Sequence, residues 1–376
     1  MTIKELAYAA QRHLQSRTDS VFKRSHVYEL LAAGFGFDSY AALGCNAVLT
    51  LRRSDAPPSS ESGSLIRRRC LALGYPPTTA DVVASEVSGF VADRRLDVVG
   101  YSDLIAMLRD GEWRWGDDQF LAEPTDEDDM PAQTWSVLDG DEISGTLVDS
   151  LESAASKGSA LAHYALALIY APDEDDEPQV GSSYWYSQEQ QGRVLTGVEK
   201  EWADAHAQQL KTQELYELHL REAARLGCDD ALLEMAERFD DPAFFDSAER
   251  SVAEDPAKVA EIAERLGRRN DAKQWFTIAA DGGDTEAMRR LIEAYCRNDP
   301  EQKWMWVYLA RLLGTDLMRD EYYAINEDGT PYDDDVGGPA FVDGRDGVKL
   351  DPLDAERDAA ARTAAEQRFR DFDLTE

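Results

Sequence analysis

The chain has 376 residues, with 39 lysines and arginines against 74 aspartates and glutamates, and a net charge of −35. Because such an excess of carboxylates repels phosphate groups, the composition excludes general binding to nucleic acid or to an anionic membrane. The hydrophobic fraction of 43% is that of a globular protein, and the length predicts two or three domains.

The first predicted elements are short helices separated by glycines. Leu6, Ala10 and Leu14 form one apolar stripe, which predicts an amphipathic helix near the start of the chain. We expect Ser25 to cap a second helix, and Asp38 or Ser39 to cap a third. The pattern predicts a small helical module over residues 1–110.

This N-terminal module loosely resembles a helix-turn-helix, and basic residues lie within it. They are Lys23, Arg24 and the triplet Arg67, Arg68 and Arg69. Residues 1–110 nevertheless have a net charge of only +1, whereas DNA-binding domains are strongly basic. A transcriptional regulator that contacts DNA through this module is therefore an alternative hypothesis, and we expect nucleic-acid binding to be absent.

The whole acidic excess follows residue 110, where the rest of the chain has a net charge of −36. Such a change in charge indicates a domain boundary. Residues 121–133 are rich in acid and proline and are typical of a solvated linker. We therefore predict an acidic linker over residues 111–143.

A repeated pattern begins after the linker. Three segments align without a gap and share A-A-x-x-G-x-x-x-A-x-x-x-[LM]-x-x-x-[YF]. They start at Ala154, Ala223 and Ala279. The signature positions are, in order, Ala155, Gly158, Ala162 and Tyr170; Ala224, Gly227, Ala231 and Phe239; and Ala280, Gly283, Ala287 and Tyr295.

The repeat has a direct physical interpretation as a helical hairpin. The alanine pair ends one helix, and the glycine adopts the left-handed conformation of a C-terminal cap. Asp230 and Asp284 are placed to start the second helix of their hairpins. The later alanine, aliphatic and aromatic positions form one buried stripe, so we assign the signature residues a structural role.

This pattern resembles the Sel-one-like repeats, relatives of the tetratricopeptide repeats with Ala-Ala-Gly turns. The resemblance covers roughly residues 144–315 and implies an α-solenoid that binds partners rather than an enzyme. The copies start 69 and 56 residues apart, farther than in compact repeats of that family, so we expect inserted or degenerate units between them.

Residues 316–376 are predicted to form a Gly/Asp-rich loop and a C-terminal capping helix. The run from Asp333 to Asp335 lacks the spacing of an EF-hand and favours a solvated loop or a small hairpin. We expect Asp351 to cap the last helix, with Pro352 at its first position.

The sequence contains no pattern that indicates catalysis. None of the five histidines has the spacing of metal ligands, and there is no phosphate-binding loop or nucleophile elbow. Accordingly, no catalytic, cofactor-binding or metal-ligating residue is predicted. The four separated cysteines suggest buried thiols in a reducing compartment, and the absence of a signal peptide or membrane span favours a cytoplasmic protein. We expect a protein of bacterial type.

The preferred hypothesis is a mainly α protein: an α-solenoid of helical-hairpin repeats preceded by a small helical module. It would act as a non-enzymatic scaffold or adaptor, binding a protein or peptide that carries a basic patch. The alternatives are the transcriptional regulator and an acidic inhibitor, of the immunity-protein type, that blocks a basic enzyme. The sequence does not predict an oligomeric state.

Overall fold

A computed structural model describes residues 3–18, 20–52, 62–110, 135–139, 142–172, 180–247, 250, 252–326, 330, 332 and 341–373. The protein is mainly helical, as predicted. The chain divides into two compact units, Met1–Leu232 and Leu233–Glu376. The four-part division drawn from the sequence places its boundaries elsewhere and stays a prediction.

The N-terminal module contains strands as well as helices, so the prediction of a purely helical module is wrong. Its elements are α1 (Ile3–Arg17), α2 (Arg24–Gly34), α3 (Tyr40–Asn46), β1 (Ala47–Arg52), α4 (Ser62–Ala72), α5 (Pro77–Asp93), β2 (Leu96–Gly100) and α6 (Tyr101–Asp110). β1 and β2 pair in antiparallel register, with Leu49 opposite Val98. Each strand is a short apolar run, which periodicity alone does not distinguish from a piece of buried helix.

Strand β1 is the centre of a small sheet. It lies between β2 and β3 (Trp135–Ser136), and the first four of its residues are buried. Leu49 belongs to a core formed with α1, α2, α4 and α5, whose largest fully buried side chains include Phe22 and Phe90. The predicted stripe of Leu6, Ala10 and Leu14 lies in this core, as expected.

The helix starts test the predicted caps. The Ser39 side chain accepts a hydrogen bond from the Ala42 amide and begins α3, as predicted. The Ser25 prediction is wrong, because α2 begins at Arg24 and its N-cap is Lys23, without a side-chain cap. Residues 111–134 of the predicted linker lie outside the described residues, and β3 lies in the final part of the linker.

The described remainder of the first unit consists of a two-stranded pair and helices. It comprises β4 (Leu138–Asp139), β5 (Glu142–Ile143), α7 (Gly145–Ala155), α8 (Ala160–Tyr170), α9 (Ser182–Gln190) and α10 (Val198–Arg225), and it ends within α11 (Asp229–Phe239). Helix α7 packs on α8 and on β1, and α10 packs on α8 and α9. Helix α7 thus packs on a strand of the N-terminal module, and both lie in the same unit.

The second unit continues with short helices and one hairpin. After the end of α11 it comprises a 3₁₀ helix (Pro242–Asp246), α12 (Pro256–Arg265), α13 (Arg269–Asp281), α14 (Thr285–Arg290) with a π-helical continuation (Leu291–Tyr295), α15 (Pro300–Leu312), β6 (Glu321–Ile325), β7 (Phe341–Arg345) and α16 (Ala355–Asp373). The pairing of β6 with β7 confirms the small hairpin that was one of the two structures expected in residues 316–376. The run Asp333–Asp335 lies outside the described residues.

The repeat glycines adopt the predicted conformation. Gly158, Gly227 and Gly283 have φ of 89°, 89° and 95°, and each follows the end of a helix. In each turn the glycine amide donates to the carbonyl of the second alanine, and the next amide donates to the carbonyl of the first. This is the Schellman motif, and the same pattern recurs at Gly267 and Gly314.

The C-terminal helix packs on α15, but its predicted start is wrong. The helix begins at Ala355, and the Asp354 side chain accepts from the Arg357 amide, so neither Asp351 nor Pro352 belongs to its first turn. In the part of the chain that the structure describes, no helix has the length and apolarity needed to cross a membrane.

Candidate functional site

The repeat-signature glycines lie in the predicted turns, and most of the signature alanines are buried, but the aromatic positions are less buried than the predicted stripe requires. Five of the six signature alanines are buried, and the sixth, Ala224, is partly buried at its turn. The aromatic positions Tyr170, Phe239 and Tyr295 are partly exposed. Asp284 caps α14 by accepting from the Glu286 and Ala287 amides, as expected. These positions hold the hairpins together, but they do not converge on a site.

A cleft of about 650 Å³ opens beside the first repeat turn, within the first unit. Two parts of the chain form its walls. One wall comes from α2, α3 and β1, and the other from α7 and the turn that follows it. The lining is mainly apolar, with Leu43, Val48, Leu49 and Ala154 contributing the aliphatic surface.

A few polar groups interrupt the apolar lining. The Glu29 carboxylate lies 2.5 Å from Nη2 of Arg69 and accepts from the Tyr40 amide at 3.3 Å. Lys157, in the repeat turn, places its ammonium 5.5 Å from the centre of the Tyr40 ring. Burial, followed by the neighbouring Tyr28, raises the pKa of the Tyr40 hydroxyl, so Tyr40 stays neutral at physiological pH.

Cys45 lines this cleft and is exposed, which corrects the expectation that every thiol is buried. The other three cysteines are buried. Burial raises the pKa of the Cys70 thiol to about 11 and also raises the pKa values of Cys228 and Cys296. Because the thiolate is the reactive form, Cys45 is the thiol most open to alkylation.

The cleft is chemically suited to binding. Clefts of about 300–1,000 Å³ with mainly apolar walls and a few placed polar groups are typical ligand-binding sites. The Glu29 carboxylate is held by Arg69, and the remaining polar lining consists of Lys157, Tyr40, serine hydroxyls and the Cys45 thiol. Among the described residues, no group of three or more histidines, cysteines or carboxylates is arranged to hold a metal ion.

Sequence reasoning missed the cleft, although one signal was present. Ala32, Ala33 and Gly36 follow the same A-A-x-x-G spacing as the repeats. Gly36 has φ of 87°, and its turn makes the same two hydrogen bonds to the alanine carbonyls. Tyr40, four residues after this glycine, then enters the cleft wall. The turn signature therefore marks one wall of the cleft in the sequence.

The structure also brings together two histidines that the sequence separated. Nδ1 of His163 in α8 lies 3.0 Å from Nδ1 of His219 in α10, and the Tyr170 ring stacks on His219 at 6.0 Å. Burial, with a further contribution from His163, lowers the pKa of His219 to about 4. This pair joins two repeat helices, α8 and α10.

The arginine triplet of the N-terminal module is engaged with carboxylates. Arg67 lies 2.5 Å from Asp81, Arg69 lies 2.5 Å from Glu29, and Arg68 lies 4.0 Å from Asp38. These pairs neutralise the charges that a phosphate backbone would need. The arginines of α4 therefore do not support the hypothesis of a DNA-binding transcriptional regulator.

Comparisons with protein-family models, with curated proteins and with solved structures find no match to this chain. The resemblance to Sel-one-like repeats therefore rests on the residues and turns described above and stays a prediction.

Proposed function

We propose that the chain is a non-enzymatic protein–protein adaptor, in which helical hairpins of the Sel-one-like type form an α-solenoid. It binds a cytoplasmic partner protein or peptide that carries both an apolar anchor and a basic patch. The observation that carries this proposal is the cleft of about 650 Å³ built jointly by the N-terminal module and the first repeat turn.

The cleft supports an apolar anchor because its walls combine aliphatic side chains with few charges. Binding energy at protein interfaces is concentrated in a small number of buried side chains that fill such cavities. Tyr40 contributes an aromatic ring to the cleft, and the Lys157 ammonium lies beside this ring. The Glu29 carboxylate accepts a hydrogen bond from the Tyr40 amide. We expect a leucine, phenylalanine or tyrosine of the partner to enter between Val48 and Ala154.

The charge distribution supports the basic patch. The region after residue 110 has a net charge of −36, and many of its arginines pair with its own carboxylates. Arg265 lies 2.9 Å from Asp240, Arg268 lies 3.0 Å from Asp246, and Arg225 lies 2.9 Å from Glu222. The carboxylates in excess give an acidic surface, which attracts basic partners and weakens in salt.

Cys45 provides a direct test. A maleimide carrying a cleavable photocrosslinker will react first at Cys45, because the other three thiols are buried with raised pKa values. Irradiation of the labelled protein in an extract of the source cells, followed by mass spectrometry, should identify a protein crosslinked at the cleft. The purified partner is then titrated against the full chain at increasing salt concentration.

A matched pair of variants separates cleft binding from general effects. A Cβ added at Gly44 or at Gly89 meets no other atom within 4 Å, but only Gly44 lines the cleft. Gly44→Leu should fill the cleft and weaken partner binding, whereas Gly89→Leu should leave it unchanged. If both variants bind the partner as the unmodified chain does, the cleft is not the binding site and the proposal fails.

An acidic inhibitor is the second candidate, favoured by the net charge of −36 after residue 110. It makes a different prediction for the same purified partner. An inhibited enzyme loses its activity in proportion to occupancy, whereas a partner held by an adaptor keeps its activity.

A further inference from the structure

The hairpin formed by β6 and β7 in the second unit exposes both of its faces. All five residues of β7 are exposed, as are four of the five in β6. The exposed set includes large apolar side chains: Tyr322 at 57%, Tyr323 at 57%, Phe341 at 45% and Val342 at 75%. A two-stranded hairpin by itself is at best marginally stable in water, so these strands lack the covering layer that a sheet normally has.

The base of this hairpin is nevertheless firmly attached. Arg289 of α14 is 3% exposed and donates to the carbonyls of Asp346 and Leu317, which flank the two strands. The Val348 amide donates to the same Leu317 carbonyl, and Arg345 lies 2.5 Å from Glu286. The strands are thus presented from a fixed base, which suits a binding element.

One edge of the hairpin is open to another strand. In the described part of the chain, β7 has a single strand partner, β6, so its other edge has no strand against it, although the Gly344 amide donates to the Asp343 carboxylate. The outer edge of β6 is partly used, because the Tyr332 amide donates to the Ala324 carbonyl. An exposed strand edge is the surface to which extended peptides add as a further strand.

The charge around the hairpin selects the occupant. Residues 316–349 contain ten aspartates and glutamates against three lysines and arginines. A second copy of this chain would bring an equally acidic hairpin, and like charges across an interface are unfavourable. A segment rich in lysine and arginine would instead neutralise these carboxylates.

We propose that the free edge of β7 binds an extended, basic segment of a partner protein as an added strand. Backbone hydrogen bonds hold the segment, its apolar side chains cover Phe341 or Val342, and its basic side chains face Asp343 and the neighbouring acids. This inference rests on the proposed function for the basic character of the partner, and it adds a second docking element on the other unit.

The test uses a synthetic peptide of alternating lysine and valine with the full-length protein. A control peptide has the same side chains but N-methyl groups on alternate amides, so it keeps the charge and loses the strand hydrogen bonds. We expect the first peptide to bind at least about tenfold more tightly than the control. Equal binding of the two peptides would overturn the added-strand mode.

A matched pair of substitutions locates the peptide. Val342→Lys places a cation on the hairpin, and Val194→Lys makes the same change at a position that is 88% exposed in the first unit. Val342→Lys should weaken binding at least about tenfold, and Val194→Lys less than about twofold. Equal effects would overturn the site, as would a stable dimer of the unmodified chain in which β7 amides gain protection from hydrogen exchange.

The same variants separate this inference from the proposed function. If Gly44→Leu abolishes binding of the crosslinked partner while Val342→Lys leaves it unchanged, the hairpin site is overturned and the adaptor proposal stands. If Val342→Lys weakens binding of the peptide and nothing crosslinks at Cys45, the hairpin inference is supported and the cleft proposal fails.

Discussion

Arg109, the penultimate residue of α6, places Nη2 2.6 Å from Oδ1 of Asp230 in the first turn of α11. The same guanidinium donates through Nε and Nη2 to the Tyr164 hydroxyl of α8, at 3.3 and 3.1 Å. Three helices that are distant in the sequence therefore meet at one side chain. This contact attaches the end of the N-terminal module to the first two repeat hairpins, and it gives Asp230 a tertiary role in addition to its place in the first turn of α11.

Removing this contact should destabilise the first unit. Both partners are about three-quarters buried, with 25% and 24% of their side chains exposed. We expect Arg109→Leu to lower the free energy of unfolding by about 1–3 kcal/mol, because it leaves a partly buried carboxylate and hydroxyl without their donor. Urea denaturation followed by circular dichroism measures the change.

A double-mutant cycle isolates the ion pair. Asp230→Asn is the second substitution, and residues in direct contact typically couple by about 0.5–3 kcal/mol. A coupling free energy near zero would show that the two side chains do not stabilise each other in solution.

Substitution of Gly283 should be costly for two reasons. Its φ of 95° disfavours any residue with a Cβ, and a Cβ added there would lie 3.0 Å from the Phe372 ring of α16. We expect Gly283→Val to cost at least about 1 kcal/mol from backbone strain alone, with a further loss from displacing the ring. Thermal and urea denaturation both report this loss.

Gly314 provides the control for that substitution. It has φ of 92° in the same unit, and a Cβ there meets nothing within 4 Å. The alanine variants should therefore differ, with Gly283→Ala less stable than Gly314→Ala by the contribution of the Phe372 contact. If the two variants have the same stability, α16 does not pack on this turn.

The His163–His219 pair predicts a pH dependence of stability. The pKa of His219 is lowered to about 4 in the folded chain, whereas an unfolded histidine has a pKa near 6.5. The unfolded state therefore binds more protons between these values, and stability falls as the pH decreases from about 6.5 towards 4. Because His219 is partly exposed, we expect the loss of folding stability to be about 1–2 kcal/mol, which is less than the free energy equivalent to the whole pKa shift.

His219→Asn removes the titrating group and retains a hydrogen-bonding side chain. The stability difference between the unmodified chain and this variant should shrink as the pH falls from 7 to 4.5. A difference that stays constant over this range would mean that His219 does not titrate with a lowered pKa.

The buried arginine at the base of the hairpin gives a further prediction. Arg289→Met should remove the Arg289 donor from the Asp346 carbonyl, leave the Leu317 carbonyl with the Val348 amide alone, and cost about 2–4 kcal/mol. Hydrogen exchange should show the largest loss of protection at residues 317–325 and 341–348. A loss spread evenly over the second unit would argue against a local anchoring role.

The predictable features are those that depend on local backbone chemistry. The glycine turns were predictable because an alanine pair followed by Gly158, Gly227 or Gly283 encodes a helix end within five residues. The strands β1 and β2 were not, since each is a short apolar run whose partner lies almost fifty residues away. The cleft was not predicted either, because it requires Tyr40 and Lys157 to meet across the packing of α7 on β1.

The residues at the helix starts also show that local sequence predicts backbone capping but not contacts with distant segments. Ser39 and Asp284 cap helices as predicted, because each immediately precedes its helix and accepts from amides in the first turn. Asp230 lies two positions later in the repeat than Asp284, inside the first turn of α11, and there its carboxylate binds Arg109, a residue that no local pattern connects to it. The local sequence therefore places Asp230 at the start of the helix but does not predict its tertiary contact.

The most direct test of the adaptor proposal is the affinity of the partner captured through Cys45 for the two leucine variants. Gly44→Leu fills the cleft and Gly89→Leu does not. Calorimetric titration should show at least about tenfold weaker binding for Gly44→Leu, with Gly89→Leu unchanged and both variants as stable as the unmodified chain. Equal affinity for all three proteins would contradict the claim that this cleft binds the partner.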